Sequence, residues 1–199
     1  MPRKLLTPSP ANAVPRRSAD SLDRALMERI VERDLRAFEA LYRIYHPRLH
    51  RFLALVTPRT PVVEEALNDT MLVVWRRAES FTGECKVSTW IFAIAYRTVL
   101  KSLRAQDEPV DGAPIDELVC EDADPEQAAI RQQTQAALAS ALATLSAEHR
   151  AVLVLTYFHD LPYAEIARIV DCPVDTVKTR MFHGRRRLRA ALHALEEPS

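Results

Sequence analysis

Residues 174–189 set Thr176, Lys178, Thr179, Arg180, Phe182 and His183 ahead of the run Arg185, Arg186, Arg187. Cationic and hydroxyl side chains at helical spacing donate to base edges and phosphate oxygens. That chemistry is recognition of a polyanion rather than bond making. Lys178 and His183 have the reach to donate to guanine acceptors. Arg185 to Arg187 lie further along and suit phosphates, which give affinity without sequence information. The stretch Pro162 to Val170 reads as a short helix, and Asp171-Cys172-Pro173 as a turn. Together they have the layout of a helix-turn-helix, whose second helix enters the major groove.

Other chemistry is weakly signalled. His46 and His50 have the spacing of a helical metal pair, but Pro47 lies between them and no third ligand is marked. No nucleophile, base and orienting group are grouped in the sequence as a catalytic constellation would require. Three glycines in 199 residues argue against phosphate-cradling loops and dinucleotide fingerprints. Cys85, Cys120 and Cys172 are odd in number and form no C-x-x-C, which fits reduced thiols. The expectation is a non-enzyme with no cofactor and no metal site. No apolar run approaches the ~20 residues that span a bilayer, and nothing behind Met1 resembles a signal peptide. A cytoplasmic protein without membrane insertion is therefore expected.

The elements that must position these residues are helical. Residues 1–19 hold four prolines and four basic residues and are expected to be a disordered arm. Leu35, Phe38, Leu41, Tyr42, Leu49, Phe52, Leu53 and Val56 repeat at spacings of three and four behind a candidate cap, Asp34. Pro47 should kink or break that helix, and Pro58 and Pro61 should end it. Further helices are expected from about Val62 to Ala78, and from Ser88 or Thr89 to about Arg104. Asp124, Pro125 and Gln127 read as the start of another. Ser146 caps the next, Pro162 opens the short one, and the last runs from about Val174 to Leu195.

Charge is segregated although 27 basic and 27 acidic side chains cancel. Between Ala105 and Gln133 stand nine carboxylates and one arginine; between Pro173 and Ala190 stand six basic residues and one acid. Arg24 to Arg104 carries 14 basic and nine acidic residues. A clustered basic helix is an electrostatic footprint of nucleic-acid binding. The expected fold is all-α: two helical domains, over 20–105 and 124–195, joined by a flexible acidic linker over 106–123.

Specific motifs extend this reading. Tyr163-Ala-Glu165-Ile166-Ala167, Asp171-Cys-Pro173-Val, Thr176-Val177-Lys178-Thr-Arg180, Arg185 and Leu188 resemble region 4 of bacterial sigma factors, most of all the extracytoplasmic-function type. In the other half, Phe81-Thr-Gly83-Glu followed by Ser88-Thr89-Trp90-Ile-Phe-Ala-Ile94-Ala95 is similar to regions 2.3–2.4. Val63-Glu-Glu65-Ala-Leu67-Asn-Asp69-Thr70, with Leu72 and Trp75, is similar to region 2.2. The resemblance covers about residues 24–192, with both halves in the family's order.

The resemblance implies a subunit that joins core RNA polymerase (the β′ and β subunits), directs it to −35/−10 promoter DNA, melts the −10 element, and is restrained by an anti-sigma factor. It places Glu65, Asn68, Asp69 and Arg76 against polymerase. It places Gly83, Lys86, Trp90, Tyr96, Arg97, Lys101 and Arg104 at the −10 DNA, with Phe92 and Tyr96 offering ring faces for stacking. Thr176, Lys178, Thr179, Arg180, Phe182, His183, Arg185, Arg186 and Arg187 fall at the −35 DNA. It also implies that the linker threads the polymerase cleft. The sequence departs from the pattern at Asn68 (often Gln), Arg97 (often Asn), Lys101 (often Asp), Asp171 (usually Gly), and Lys178 and His183 (often Arg). Two other readings stand beside it: a helix-turn-helix repressor or activator working without replacing sigma, and an inactive sigma-like protein that sequesters a partner.

Overall fold

A computed structural model describes residues 16–105 and 137–196, and every regular element among them is helical. The first half holds α1 (Arg16–Val31), α2 (Leu35–Val56), α3 (Thr60–Arg76), a 3-10 turn at Ala78–Ser80, and α4 (Val87–Ala105). The second holds α5 (137–143), α6 (Ala147–Tyr157), α7 (Tyr163–Ile169) and α8 (Val174–Glu196). Residues 1–15, the acidic segment with Cys120, and the expected start at Asp124, Pro125 and Gln127 lie outside the described residues.

Each helix follows from local chemistry. Asp34 caps α2 by accepting from the backbone N–H of Arg36 (2.9 Å) and Ala37 (3.2 Å). The Arg29 guanidinium beside it, 2.6 Å away, holds its carboxyl below the usual carboxylate range, helped by the N–H of Ala37. α2 runs on through Pro47, so of the expected kink or break the break is absent. Proline forfeits one ladder bond, while Leu41, Tyr45, Leu49, Phe52 and Leu53 anchor the turns on both sides by complete burial. Pro61 likewise opens α3 rather than ending α2, since its missing N–H is an orphan in a first turn anyway. α1 begins at Arg16, inside the stretch expected to be a disordered arm. Further along α1, Leu26, Met27 and Ile30 are buried against the other helices.

The first half is a bundle in which α2, α3 and α4 pack together and α1 lies across α2 and α4. The second half packs α6 against α8, with α7 bridging them. Gly184 makes that contact close: a Cβ there would sit 3.2 Å from Leu153 Cδ1. The halves are more than tethered. Residues from both enter one continuous apolar core, with α2 against α6 and α4 against α7.

One polar pair is sealed inside the first half. Tyr45 Oη donates to Asp23 Oδ2 at 2.5 Å, with Tyr45 fully buried and Asp23 6% exposed. Burial pushes the Asp23 carboxyl above its usual range, while the tyrosine hydrogen bond and Arg48 pull it down. Tyr45→Phe removes the hydroxyl and leaves a buried carboxyl unpartnered, a cost of roughly 1–3 kcal/mol. Urea unfolding should show the midpoint falling accordingly; an unchanged midpoint would mean that the hydroxyl does not hold Asp23.

Candidate nucleic-acid and protein-docking surfaces

Helix α8 divides its residues by face. Val177 and Met181 are buried, Gly184 touches α6, and Leu188 is half-buried: a core stripe at helical spacing. Turned away from it, Asp175, Lys178, Thr179, Phe182, His183 and Arg186 are exposed. Arg185 and Arg187 are exposed on the flanks, and Thr176 and Arg180 are half-buried. The structure therefore brings seven of the nine −35 candidates to solvent and draws two inward. Phe182, 59% exposed, leaves its ring beside His183 with centroids 5.3 Å apart. The field of this helix reaches α6. The His149 imidazole stays below its ordinary range through burial first, and then through Arg187 and Arg180.

Asp175 is a residue that the sequence reading passed over. It lies on the outward face and accepts from Lys178 Nζ at 2.9 Å, while Thr179 Oγ1 donates to its backbone carbonyl at 3.0 Å. A carboxylate there can accept from a cytosine amine, and it fixes the direction of Lys178. The three-residue step to Lys178 was the available signal.

The turn ahead of α8 is built on Asp171, whose φ is +51°. Aspartate tolerates this left-handed backbone, so it fills the glycine's place. The N–H of Cys172 bonds back to the carbonyl of Ala167 at 3.1 Å and closes the turn.

Helix α4 carries the second basic surface. Lys86, just before its first turn, shares one face with Trp90, Arg97, Lys101 and Arg104 at steps of four, seven, four and three. The lysine and arginines are exposed. Trp90 is half-buried, its ring 5.6 Å from Phe81. Tyr96 does not join this face. It is 4% exposed and turned toward the second half, and Phe92 is buried at 1%. Neither ring offers a stacking surface in this conformation, because both pack between the halves. Burial pushes the Tyr96 phenol above its ordinary range against the pull of the Arg180 guanidinium. A −10 candidate and a −35 candidate thus lie against each other.

The strand of chain leading into α4 is held from behind. Arg24 of α1 donates to the carbonyls of Gly83 (3.2 Å) and Cys85 (3.1 Å) and lies over the Phe81 ring. Gly83 has φ +78°, a backbone that favours glycine, and a Cβ there would meet Arg24 at 3.2 Å. Arg24 had no sequence signal, since its partners lie about sixty residues away.

A third surface is an open groove between α3 and α4, lined by Glu65, Asp69, Leu72 and Arg76 on one wall and by Lys101 and Ser102 on the other. Asn68 is exposed on the same face of α3, outside the groove lining. Leu72 is 43% exposed, an apolar side chain among charges, as a docking face requires. Lys101 is therefore placed with the polymerase candidates as well as on the basic face. No group of metal-ligating side chains forms among the described residues, and His46 and His50 stack with ring centroids 6.3 Å apart. No described helix is long and apolar enough to cross a membrane.

The two halves also meet through polar contacts. Glu165 of α7 pairs with Lys86 and accepts from Thr89 Oγ1 at 3.4 Å. Arg168 donates to the Glu84 carbonyl at 3.4 Å. The first helix of the helix-turn-helix thus sits on the chain that leads into α4.

Asp171→Ala places an ordinary side chain in left-handed backbone and should cost roughly 1–2 kcal/mol, whereas Asp171→Gly should be neutral or stabilising. Thermal unfolding of both variants checks this; equal stability would show that the turn relaxes freely.

Comparisons with known proteins agree with this geometry. Residues 41–108 match the family described as Sigma-70 region 2, and residues 135–188 match Sigma-70, region 4. The ECF RNA polymerase sigma factor RpoE of Cereibacter sphaeroides is 34% identical over 169 residues, covering 83% of this chain and 92% of that protein. The RNA polymerase sigma-H factor of Pseudomonas aeruginosa is 29% identical over 189 residues, covering 87% and 95%. Among solved structures, the sigma factor RpoE of Bartonella quintana in complex with the anti-sigma factor NepR shares the fold at TM-score 0.65 and 20% identity, covering 80% of this chain and 98% of that one.

Proposed function

The chain belongs to the extracytoplasmic-function sigma factors of the sigma-70 family, and from that premise we propose how its three surfaces divide the work of initiation. The outward face of α8 reads the −35 element in duplex DNA. Lys178, Asp175 and His183 meet base edges, and Arg185, Arg186 and Arg187 meet phosphates. The basic face of α4, with Lys86, Arg97 and Arg104, follows the strand separated at the −10 element beside Gly83 and Trp90. The groove between α3 and α4 seats the β′ subunit of core polymerase through Glu65, Asp69, Leu72, Arg76 and Lys101, with Asn68 at its edge. The work is done in the cytoplasm, where polymerase and promoter DNA meet.

The observation that carries this reading is the pairing of two separate basic faces with one mixed-charge, partly apolar groove. A single-site repressor needs one nucleic-acid face; two faces on two halves suit two promoter elements. Elements named for positions −35 and −10 lie about 25 base pairs apart, roughly 85 Å along B-DNA at about 3.4 Å per pair. Since Lys86 and Glu165 touch here, the halves must part before both elements are bound. Tyr96 and Arg180 would then be released to their own DNA sites. The closed arrangement also suits restraint by an anti-sigma protein, the kind of partner held by the Bartonella relative.

Transcription in vitro with purified core polymerase on fragmented genomic DNA tests the reading. Adding this protein should create discrete RNA 5′ ends that share upstream motifs. Binding to core without new starts would favour a sequestering role, and no binding to core would favour an ordinary regulator.

Two substitutions separate the surfaces. Asp69→Arg reverses charge in the groove and should weaken binding to core while leaving the −35 face intact. Arg186→Ala should reduce DNA affinity evenly across sequences and make the salt slope shallower by roughly 0.9. A sequence-selective loss would reassign Arg186 to base reading.

A further inference from the structure

One titratable ring, half-buried, sits in the seam between the halves. His159 follows α6, and its imidazole meets Phe92 of α4 at 4.7 Å and Phe52 of α2 at 6.1 Å, both edge-on. Its Nε2 is buried and has no hydrogen-bond partner among the described residues. From α2, Arg48 lies over the Phe92 ring at 5.7 Å and Arg51 over Phe158 at 4.9 Å, so two guanidiniums border the imidazole. From α4 it meets the uncharged Phe92 ring. Asp160, next in the chain, is exposed, and Asp23 beyond Arg48 is taken up by Tyr45. A proton on His159 would therefore put a cation into an apolar seam beside the half-buried Arg48 and the exposed Arg51, where no carboxylate faces Nε2.

We propose that His159 is an acid-sensitive latch: neutral, it packs between the halves and keeps them closed; protonated, it forces them apart, releases Lys86 from Glu165 and uncovers Arg180. Burial first, and then Arg48 and Arg51, bring its pKa down to about 4, from an ordinary value of 6.5 that an open, solvated ring regains. The imidazole's contribution to closure is thus complete above about pH 6.5. It is lost as pH falls toward 4, with the closed-to-open ratio dropping by up to about tenfold per pH unit. The ion pair of Glu165 with Lys86 spans the same seam, so the test must separate the two. The conformational claim rests on the packing of the seam alone. The idea that opening frees the promoter-facing side chains rests on the reading above.

Fluorescence transfer in the full chain, with donor and acceptor dyes at exposed positions Arg36 and Arg189, reads the separation directly. Circular dichroism follows helix content in the same samples. The unsubstituted protein should keep high transfer from pH 8 to about 6.5 and lose it toward pH 4.5 with its helix signal unchanged. His159→Phe fills the niche without a titrating group and should keep high transfer throughout. His159→Arg should be open at pH 7.5 while both halves stay helical. Transfer that stays flat with pH, that falls along the same curve in His159→Phe, or that falls only together with helix content would overturn the latch. Any of these outcomes would leave core binding and transcription starts untouched, so the failure would be distinct from failure of the sigma reading.

Discussion

Phe92, 1% exposed, has the ring of Phe52 5.3 Å from its own, the imidazole of His159 4.7 Å away and the guanidinium of Arg48 above it. Two distant parts of the chain, α2 and the end of α6, converge on this one side chain of α4. Edge-on aromatic pairs add about 0.5–1.5 kcal/mol beyond the area they bury. A junction of this kind gives the two halves a defined orientation, which a greasy contact alone would leave loose. The polar contacts of Glu165 and Arg168 lie at its margin. There, partly exposed pairs contribute about 0–1 kcal/mol each, so they tune the closed state rather than create it.

That junction imposes a division of labour on the helices around it. α4 must be apolar where it meets α2 and the second half, and basic where it faces solvent. Its Phe92 and Tyr96 fall on the first side and its Lys101 and Arg104 on the second. α8 repeats the arrangement with Val177 and Met181 inward and Lys178 and His183 outward. In each case the buried stripe fixes the rotation of the helix, and the rotation decides which charges can meet a partner. Core packing and recognition are thus coupled: slipping either helix by one residue would turn its basic face by about 100°, as 3.6 residues per turn requires.

The helices, and the faces of α2 and α8, were legible because amphipathic periodicity is a local signal. Asp34 as a cap and the turn at Asp171 were legible for the same reason. The break allowed for at Pro47 does not occur because its local cost is outweighed by Leu41, Tyr45, Leu49 and Phe52, burial that is invisible without the tertiary fold. The start of α1 was misread because Arg16 and Arg17 directly follow a proline-rich stretch, while the residues that pack the helix, Leu26, Met27 and Ile30, lie beyond it. Tyr96 and Phe92 were assigned to stacking on the residue type that a strand-binding face uses, yet the same rings are what a domain seam uses. Arg24, His159 and Glu165 act through partners far away in sequence, and no pattern in their neighbourhoods announces them.

The contact between Lys86 and Glu165 closes a circuit of chain that runs through the acidic segment. The probability of that closure depends on how strongly the intervening residues concentrate one half around the other. This effective concentration falls only slowly with length: doubling a flexible connector costs about 0.6 kcal/mol. For any connector of that kind, insertions and deletions weigh little in the balance between closed and open forms. Such a connector can change in length to suit an outside partner without resetting the seam. The segment is free to diverge while Phe92 and the rings around it are not, and that contrast is a pattern of variation which sequences of this lineage should carry.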